Sequence, residues 1–246
     1  MDTTGDKDTV QDFIAQQLAQ TPYACSSLSR LSGGTANFIY RGTLSTTQES
    51  IIIKHSKDYV ASNQNFKLDI ERSFFEESIL QALGDLEPYS QNNIIVKSPR
   101  VLYFDREKNI QIHEDLPNSA DLKTYLLEKI PKDAKESFSR ALGHSLGSWL
   151  QSFHAWGIKA EQQEIRDIVV RNRAMKQIKF YINYPMLLET VDNFPDILSE
   201  HREVFEQVRA LAAAEQESDA IDETHGLVHG DFWTGNVLKQ FPSRSI

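Results

Sequence analysis

Hydrophobic positions change period along the chain, and the changes mark out its expected elements. Residues 8–20 (DTVQDFIAQQLAQ) place Val10, Phe13, Ile14 and Leu18 at helical spacing, and Thr21-Pro22 stops the run. Over residues 26–55 the period falls to two. SSLSRL, ANFIYRGTL and IIIKH read as three short antiparallel strands, with Gly33-Gly34 turning the chain between the first two. Helical period returns over 66–83, with Phe66, Ile70, Phe74, Leu80 and Leu83 as the expected buried stripe and Gly84 as the C-cap. Two further strands are expected over 99–105 (PRVLYFD) and 109–115 (NIQIHED).

Beyond Asp115 the pattern is almost all helical. A short helix is expected over 122–128. A long one over 134–156 carries Phe138, Leu142, Leu146, Trp149, Leu150 and Phe153 on one face, and others cover 164–182 and 197–215. Residues 214–226 read as a polar acidic loop, and GLVHGDFWTGNVLKQ (226–240) as a loop between two small strands. The expected fold is α+β and bilobal. An antiparallel five-stranded N-lobe spans 1–115, a hinge lies near 113–120, and a mostly helical C-lobe spans 116–246. A cleft between lobes is the default ligand site.

Composition narrows the function classes. The 246 residues carry 26 basic and 35 acidic side chains, a net charge of −9, which argues against nucleic acid or an anionic membrane as partner. A lone cysteine, Cys25, excludes an intrachain disulfide and a cysteine-rich zinc site. Residues 1–9 form no apolar leader and no 18-residue apolar run occurs, so the expectation is a soluble, cytoplasmic protein. The pattern leaves the oligomeric state open.

The most informative string is His229-Gly230-Asp231-Phe232-Trp233-Thr234-Gly235-Asn236. Its D-x4-N spacing puts a carboxylate and a carboxamide on one tight loop. Phosphoryl transfer needs such a carboxylate to orient the acceptor, oxygen ligands for Mg²⁺, and a cation on the nucleotide phosphates. Taken alone, the same residues could simply satisfy loop amides. Upstream, the turn Leu31-Ser32-Gly33-Gly34-Thr35-Ala36-Asn37-Phe38 would let backbone amides approach phosphate oxygens, although a plain hairpin turn also explains it. Lys54 ends an apolar strand, and Glu76 and Glu77 follow on the next helix. A metal hydrolase is a third reading, since His225, His229 and Asp231 give H-x3-H-x-D.

Together LSGGTANFIY, IIIKH, FFEESILQAL, IQIHEDL, LGSWLQSFHAWG and LVHGDFWTGNVL resemble, in that order, the aminoglycoside phosphotransferase and choline kinase superfamily. The resemblance implies a protein kinase-like fold and ATP-dependent transfer of phosphate to a hydroxyl of a small molecule. It implies Asp231 as the catalytic or acceptor-orienting carboxylate, His229 as a brace of the catalytic loop, and Asn236 as a Mg²⁺ ligand. Lys54 would contact the ATP phosphates, oriented by Glu76, while Gly33, Gly34 and Asn37 form the turn over them. The backbone around His113 and Glu114 would hold the adenine. The family's second acidic metal ligand is expected after Asn236, yet VLKQFPSRSI contains neither Asp nor Glu. The resulting expectation is a C-terminally truncated chain with an incomplete C-lobe and impaired transfer. The alternative is a catalytically inactive kinase-like protein used for binding or regulation.

Overall fold

A computed structural model describes residues 4–32, 35–130, 135–217 and 226–241. Contacts divide the chain into two units, Met1–Trp156 with Asp231–Ile246, and Gly157–Gly230. The first opens with α1 (Thr4–Leu18), β1 (Cys25–Arg30), β2 (Phe38–Leu44) and β3 (Ser50–His55). A small hairpin follows, β4 (Tyr59–Val60) with β5 (Asn63–Lys67), and then α2 (Arg72–Ala82). A second hairpin, β6 (Tyr89–Gln91) and β7 (Ile94–Val96), leads to β8 (Val101–Asp105) and β9 (Ile110–Glu114). Next come β10 (Ser119–Asp121), α3 (Leu122–Thr124) with a π turn (Tyr125–Lys129), and α4 (Lys135–Gly157).

The expected five-stranded antiparallel sheet is present, in the order β1-β2-β3-β9-β8. Its register sorts the side chains. Tyr40 lies opposite Ile53, and Ile53 opposite Ile112. Because successive residues of a strand point to opposite faces, Phe38, Tyr40, Ile51, Ile53, Ile110 and Ile112 share one face. There they pack with Val10, Ile14 and Leu18 of α1 as the buried core. The intervening residues Arg41, Ile52, Lys54, Gln111 and His113 fall on the other face, the one that α2 meets.

That second face explains a correction. The helix expected from residue 66 begins at Arg72; residues 63–67 form β5 instead, and Phe66 is 44% exposed. The buried positions of α2 are Arg72, Ser73 and Glu77, and of the expected apolar stripe only Leu83, just past the helix, is buried. The helix lies against polar strand positions, so its inward side chains are polar and each finds a partner. Arg72 donates to the carbonyls of Lys57 and Asp69, both at 2.8 Å, and Glu77 accepts from Arg106 at 2.9 Å. Gly84 sits inside a 3-10 turn, Leu83–Asp85, that prolongs the helix rather than capping it. The β6–β7 hairpin escaped the periodicity because its strands have three residues each; Asn92 and Asn93 turn it at φ 50° and 61°, as a two-residue primed turn requires.

The second unit is helical: α5 (Gln163–Val169), α6 (Arg173–Asn183), α7 (Pro185–Val191), α8 (Pro195–Leu198) and α9 (Arg202–Glu217). The single helix expected over 164–182 is two, because Asn172 caps α6 by accepting from the Met175 amide at 3.3 Å. Pro185 and Pro195 start α7 and α8, where a missing N–H costs nothing. In α4 the expected stripe holds, with Leu142, Trp149 and Phe153 buried. The chain then returns to the first unit and ends its described course in β11 (Leu238–Gln240). Among the described residues no helix is long and apolar enough to cross a membrane.

Candidate functional site

Two groups of predicted residues are each assembled by the fold. The first lies on the polar face of the sheet. Lys54, the penultimate residue of β3, extends from that face, and both carboxylate oxygens of Glu76 on α2 accept from its Nζ. Of the two adjacent glutamates, only Glu76 meets Lys54; Glu77 turns to Arg106 and Gln81. One residue of helical rotation, about 100°, separates these fates. Burial alone would raise the Glu76 carboxyl, but the Lys54 charge and hydrogen bond, with His113 and Arg72 nearby, hold it below the usual carboxylate range.

His113 belongs to this group as a side chain, not only as backbone. It is buried, and its Nε2 lies 3.1 Å from Gln111 Oε1. Burial, and then the Lys54 ammonium, push its pKa down to about 4, so the imidazole is neutral at pH 7. Gln111 is directly opposite Lys54 across the β3–β9 ladder and fully buried, and its Nε2 donates to the Ser73 carbonyl at 2.8 Å. Neither Gln111 nor Ser73 had been singled out from sequence. The signal was there in IQIHE, where two polar residues share one strand face with a lysine opposite.

The second group is the D-x4-N loop. Gly230 takes φ +77°, a left-handed conformation suited to glycine, immediately before Asp231. A 3-10 turn, Thr234–Asn236, then brings the amide of Asn236 back to Asp231. Its Nδ2 donates to Asp231 Oδ2 at 2.6 Å and to the Asp231 carbonyl at 2.9 Å. A Cβ at Gly235 would come within 2.4 Å of the Trp233 ring, so the turn also depends on that glycine. Phe232 stacks on Trp149 of α4, ring centroids 6.3 Å apart, and Trp149 stacks on Phe153 at 5.9 Å. Downstream, β11 pairs with β10, and Leu122 donates its amide to the Val237 carbonyl at 2.8 Å. The loop was expected between two small strands; its upstream flank, from residue 226, is irregular, and β10 supplies the partner strand instead.

The remaining residues lie elsewhere. Asn37 Oδ1 accepts from Ser56 and from Arg72, at 3.0 and 2.9 Å, which ties the end of the glycine turn to α2. Glu114 is held by Lys97 and by the Arg100 amide. The side chain of the next residue, Asp115, is buried and gripped by Arg41 through two contacts of 2.8 and 2.9 Å. His229 is exposed. Gly33, Gly34 and His225 lie outside the described residues, and among the described residues no three His, Cys, Asp or Glu converge as a metal site.

A Mg²⁺ ion prefers oxygen ligands and uses one or two protein groups, completing its shell with phosphates and water. With its nitrogen turned to Asp231, Asn236 has its remaining amide oxygen as a donor, and the neighbouring carboxylate adds charge. That donor set fits such an ion in type.

A sequence profile of the phosphotransferase enzyme family (APH) matches residues 45–241. Among curated proteins, phosphotransferase FrzJ of Cladobotryum sp is 35% identical over 243 residues, covering 93% of this chain and 63% of that protein. The 4-hydroxytryptamine kinase of Psilocybe cyanescens is 24% identical over 229 residues, covering 90% of this chain and 60% of its own length. That of Psilocybe cubensis is 25% identical over 222 residues, with 87% and 58% covered. The chain thus spans about three-fifths of the length of the curated relatives it matches.

Proposed function

The chain belongs to the phosphotransferase enzyme family, of the aminoglycoside phosphotransferase and choline kinase-like kind, and from that premise we propose that it serves ATP-dependent transfer of phosphate to a hydroxyl of a small molecule. The observation that carries this reading is the Lys54–Glu76 pair, formed between strand and helix 22 residues apart in sequence. A strand lysine paired with a helix glutamate is the arrangement by which kinases place a cation on the nucleotide phosphates. Residues 1–115 would form the nucleotide-binding lobe and residues 116–246 the lobe that carries the catalytic loop.

Within that reading the roles divide. Lys54 contacts the ATP phosphates, and Glu76 keeps its ammonium pointed. Gly33, Gly34 and Asn37 cover the phosphates, with Asn37 anchored through Arg72. The adenine edge meets backbone near His113 and Glu114, where the Arg41–Asp115 ion pair steadies the chain. Asp231 orients the acceptor hydroxyl and takes up its proton, Asn236 holds its amide against Asp231 and offers Oδ1 to Mg²⁺, and His229 braces the loop. Bound Mg²⁺ would neutralise phosphate charge. Residues 237–246 contain neither Asp nor Glu.

The acceptor class is suggested by the relatives named as 4-hydroxytryptamine kinases. An aromatic alcohol bearing an amine is therefore the first acceptor to test, and the net charge of −9 is compatible with a cationic one. The direct experiment is nucleotide-dependent melting of purified 1–246 with millimolar Mg²⁺–ATP, repeated with Lys54→Ala. A stabilisation lost in the variant supports the phosphate site. No shift in the wild-type chain would overturn it. Binding with no transfer to any hydroxylated amine would leave the non-catalytic, binding reading in place.

A further inference from the structure

A fully buried glutamine in a β-strand needs a reason, because an amide withdrawn from water must replace every hydrogen bond it gives up. Gln111 is such a residue, at 0% exposure, the second residue of β9 and flanked by Ile110 and Ile112. Its two ends point to two different partners. Oε1 faces His113 Nε2 at 3.1 Å, and Nε2 donates to the Ser73 carbonyl at 2.8 Å. His113 is neutral at pH 7, so with its proton on Nε2 it donates to Oε1. That arrangement fixes the orientation of the Gln111 amide and commits its nitrogen to α2.

Ser73 lies in the first turn of α2, and Glu76 follows one turn later on the same face. Gln111 is also the cross-strand partner of Lys54. One side chain therefore joins the strand that neighbours the lysine to the helix that carries its glutamate. We infer that Gln111 is a positioning residue for the Lys54–Glu76 pair: the chain His113–Gln111–Ser73 carbonyl sets the depth of α2 against the sheet, so that both Glu76 oxygens reach Lys54. The functional consequence rests on the proposed ATP site; the structural one does not.

The test is a double-mutant cycle on the polypeptide 1–246 with Gln111→Met, which keeps length and removes both hydrogen bonds, and Glu76→Gln. Each single variant is expected to raise the Kd for Mg²⁺–ATP about tenfold, and the pair no more than either alone, because both remove one interaction. The NMR signal of the Lys54 ammonium should move in Gln111→Met in the same direction as in Glu76→Gln. A residue that only fills space would lower the melting temperature and leave that signal in place. Additive losses of binding, or an unmoved Lys54 signal, would overturn the inference. Should the wild-type chain bind no nucleotide, the proposed function fails, but the Lys54 signal still decides on the latch. If Gln111→Met does not fold, Gln111→Asn takes its place, since it keeps an amide but is one methylene too short to reach Ser73; an Asn variant with a wild-type Lys54 signal counts against the latch.

Discussion

The two faces of the five-stranded sheet are built from alternate residues of the same strands, yet they are held by opposite means. On one, Tyr40, Ile53, Ile112 and their neighbours pack with Val10, Ile14 and Leu18 of α1 through apolar contact. On the other, Lys54 and Gln111 meet α2 through an ion pair and a hydrogen bond, while Arg41 pairs with Asp115 and His113 with Gln111. Hydrocarbon burial is non-directional and tolerates small shifts, whereas each buried polar group costs stability unless its partner is in place. The apolar face can therefore support the sheet while the polar face keeps a defined geometry. A site needs both, and here they are one residue apart.

The sharpest way to break that contrast is to cut into the apolar face. Ile53 is completely buried at the centre of the cluster. Ile53→Ala should lower unfolding free energy by about 3 kcal/mol, from lost transfer energy and the cavity left behind. Urea unfolding checks it. Equal stability of the variant would mean that the sheet does not depend on this face.

The polar face should instead be sensitive to acid. Free histidine takes up a proton near pH 6.5, whereas His113 in the fold does so only at about 4. Stability is then fully present above about pH 6.5 and falls as the pH drops towards 4, where the unfolded chain binds the extra proton, by on the order of 3 kcal/mol. His55, lowered chiefly by burial, acts in the same sense on the apolar face, and Glu76 adds a loss below its ordinary value. His113→Gln isolates the first contribution. Its stability should change less between pH 7 and 4.5 than that of the wild type, as read by denaturant titration at each pH. Parallel curves would show that His113 is not held neutral by its surroundings.

Much of this was legible beforehand, and the gaps have physical causes. Alternation within ANFIYRGTL, IIIKH and NIQIHED located three central strands, and helical spacing of Val10, Ile14 and Leu18 located α1, because in both cases one apolar face dictates the pattern. The family resemblance, not the period of α2, singled out Glu76 over Glu77 as the partner of Lys54. The start of α2 was obscured because Phe66, Ile70 and Phe74 happen to share helical spacing, while the inward positions of the helix are polar. The roles of Gln111 and Ser73 depend on which strand lies beside β3, and only the formed sheet brings Gln111 of β9 opposite Lys54. The two short hairpins and the break before Asn172 are set by turns too local to leave a period.

Between the two extremes stands Gly42, in β2 on the side facing the apolar cluster. A Cβ there would lie 2.5 Å from Cys25 Sγ and 2.8 Å from Ile53 Cδ1. Gly42→Ala should thus cost about 2 kcal/mol by overpacking, although alanine suits a strand better than glycine. Ile53→Val in the same chain withdraws the crowded methyl. The double variant should be more stable than the sum of the two single losses predicts. Strict additivity in urea unfolding would mean that Gly42 is not limited by that contact.

The smallest effect belongs to the rim, where one partner of a polar contact stays exposed. Lys97 Nζ meets Glu114 at 2.9 Å, but its side chain is 42% exposed, and Glu114 also accepts from the Arg100 amide at 3.0 Å. Burial would raise the Glu114 carboxyl, and the hydrogen bonds from Lys97 and Arg100 bring it below its ordinary range. Because water competes for an exposed ammonium and the carboxylate keeps a second donor, Lys97→Ala should cost about 0.5 kcal/mol or less, shrinking further in added salt. If urea unfolding instead showed a salt-independent loss as large as that of Ile53→Ala, position on the rim would not be what weakens a polar contact. The division between the faces would then lie in chemistry alone, and burial would have no part in it.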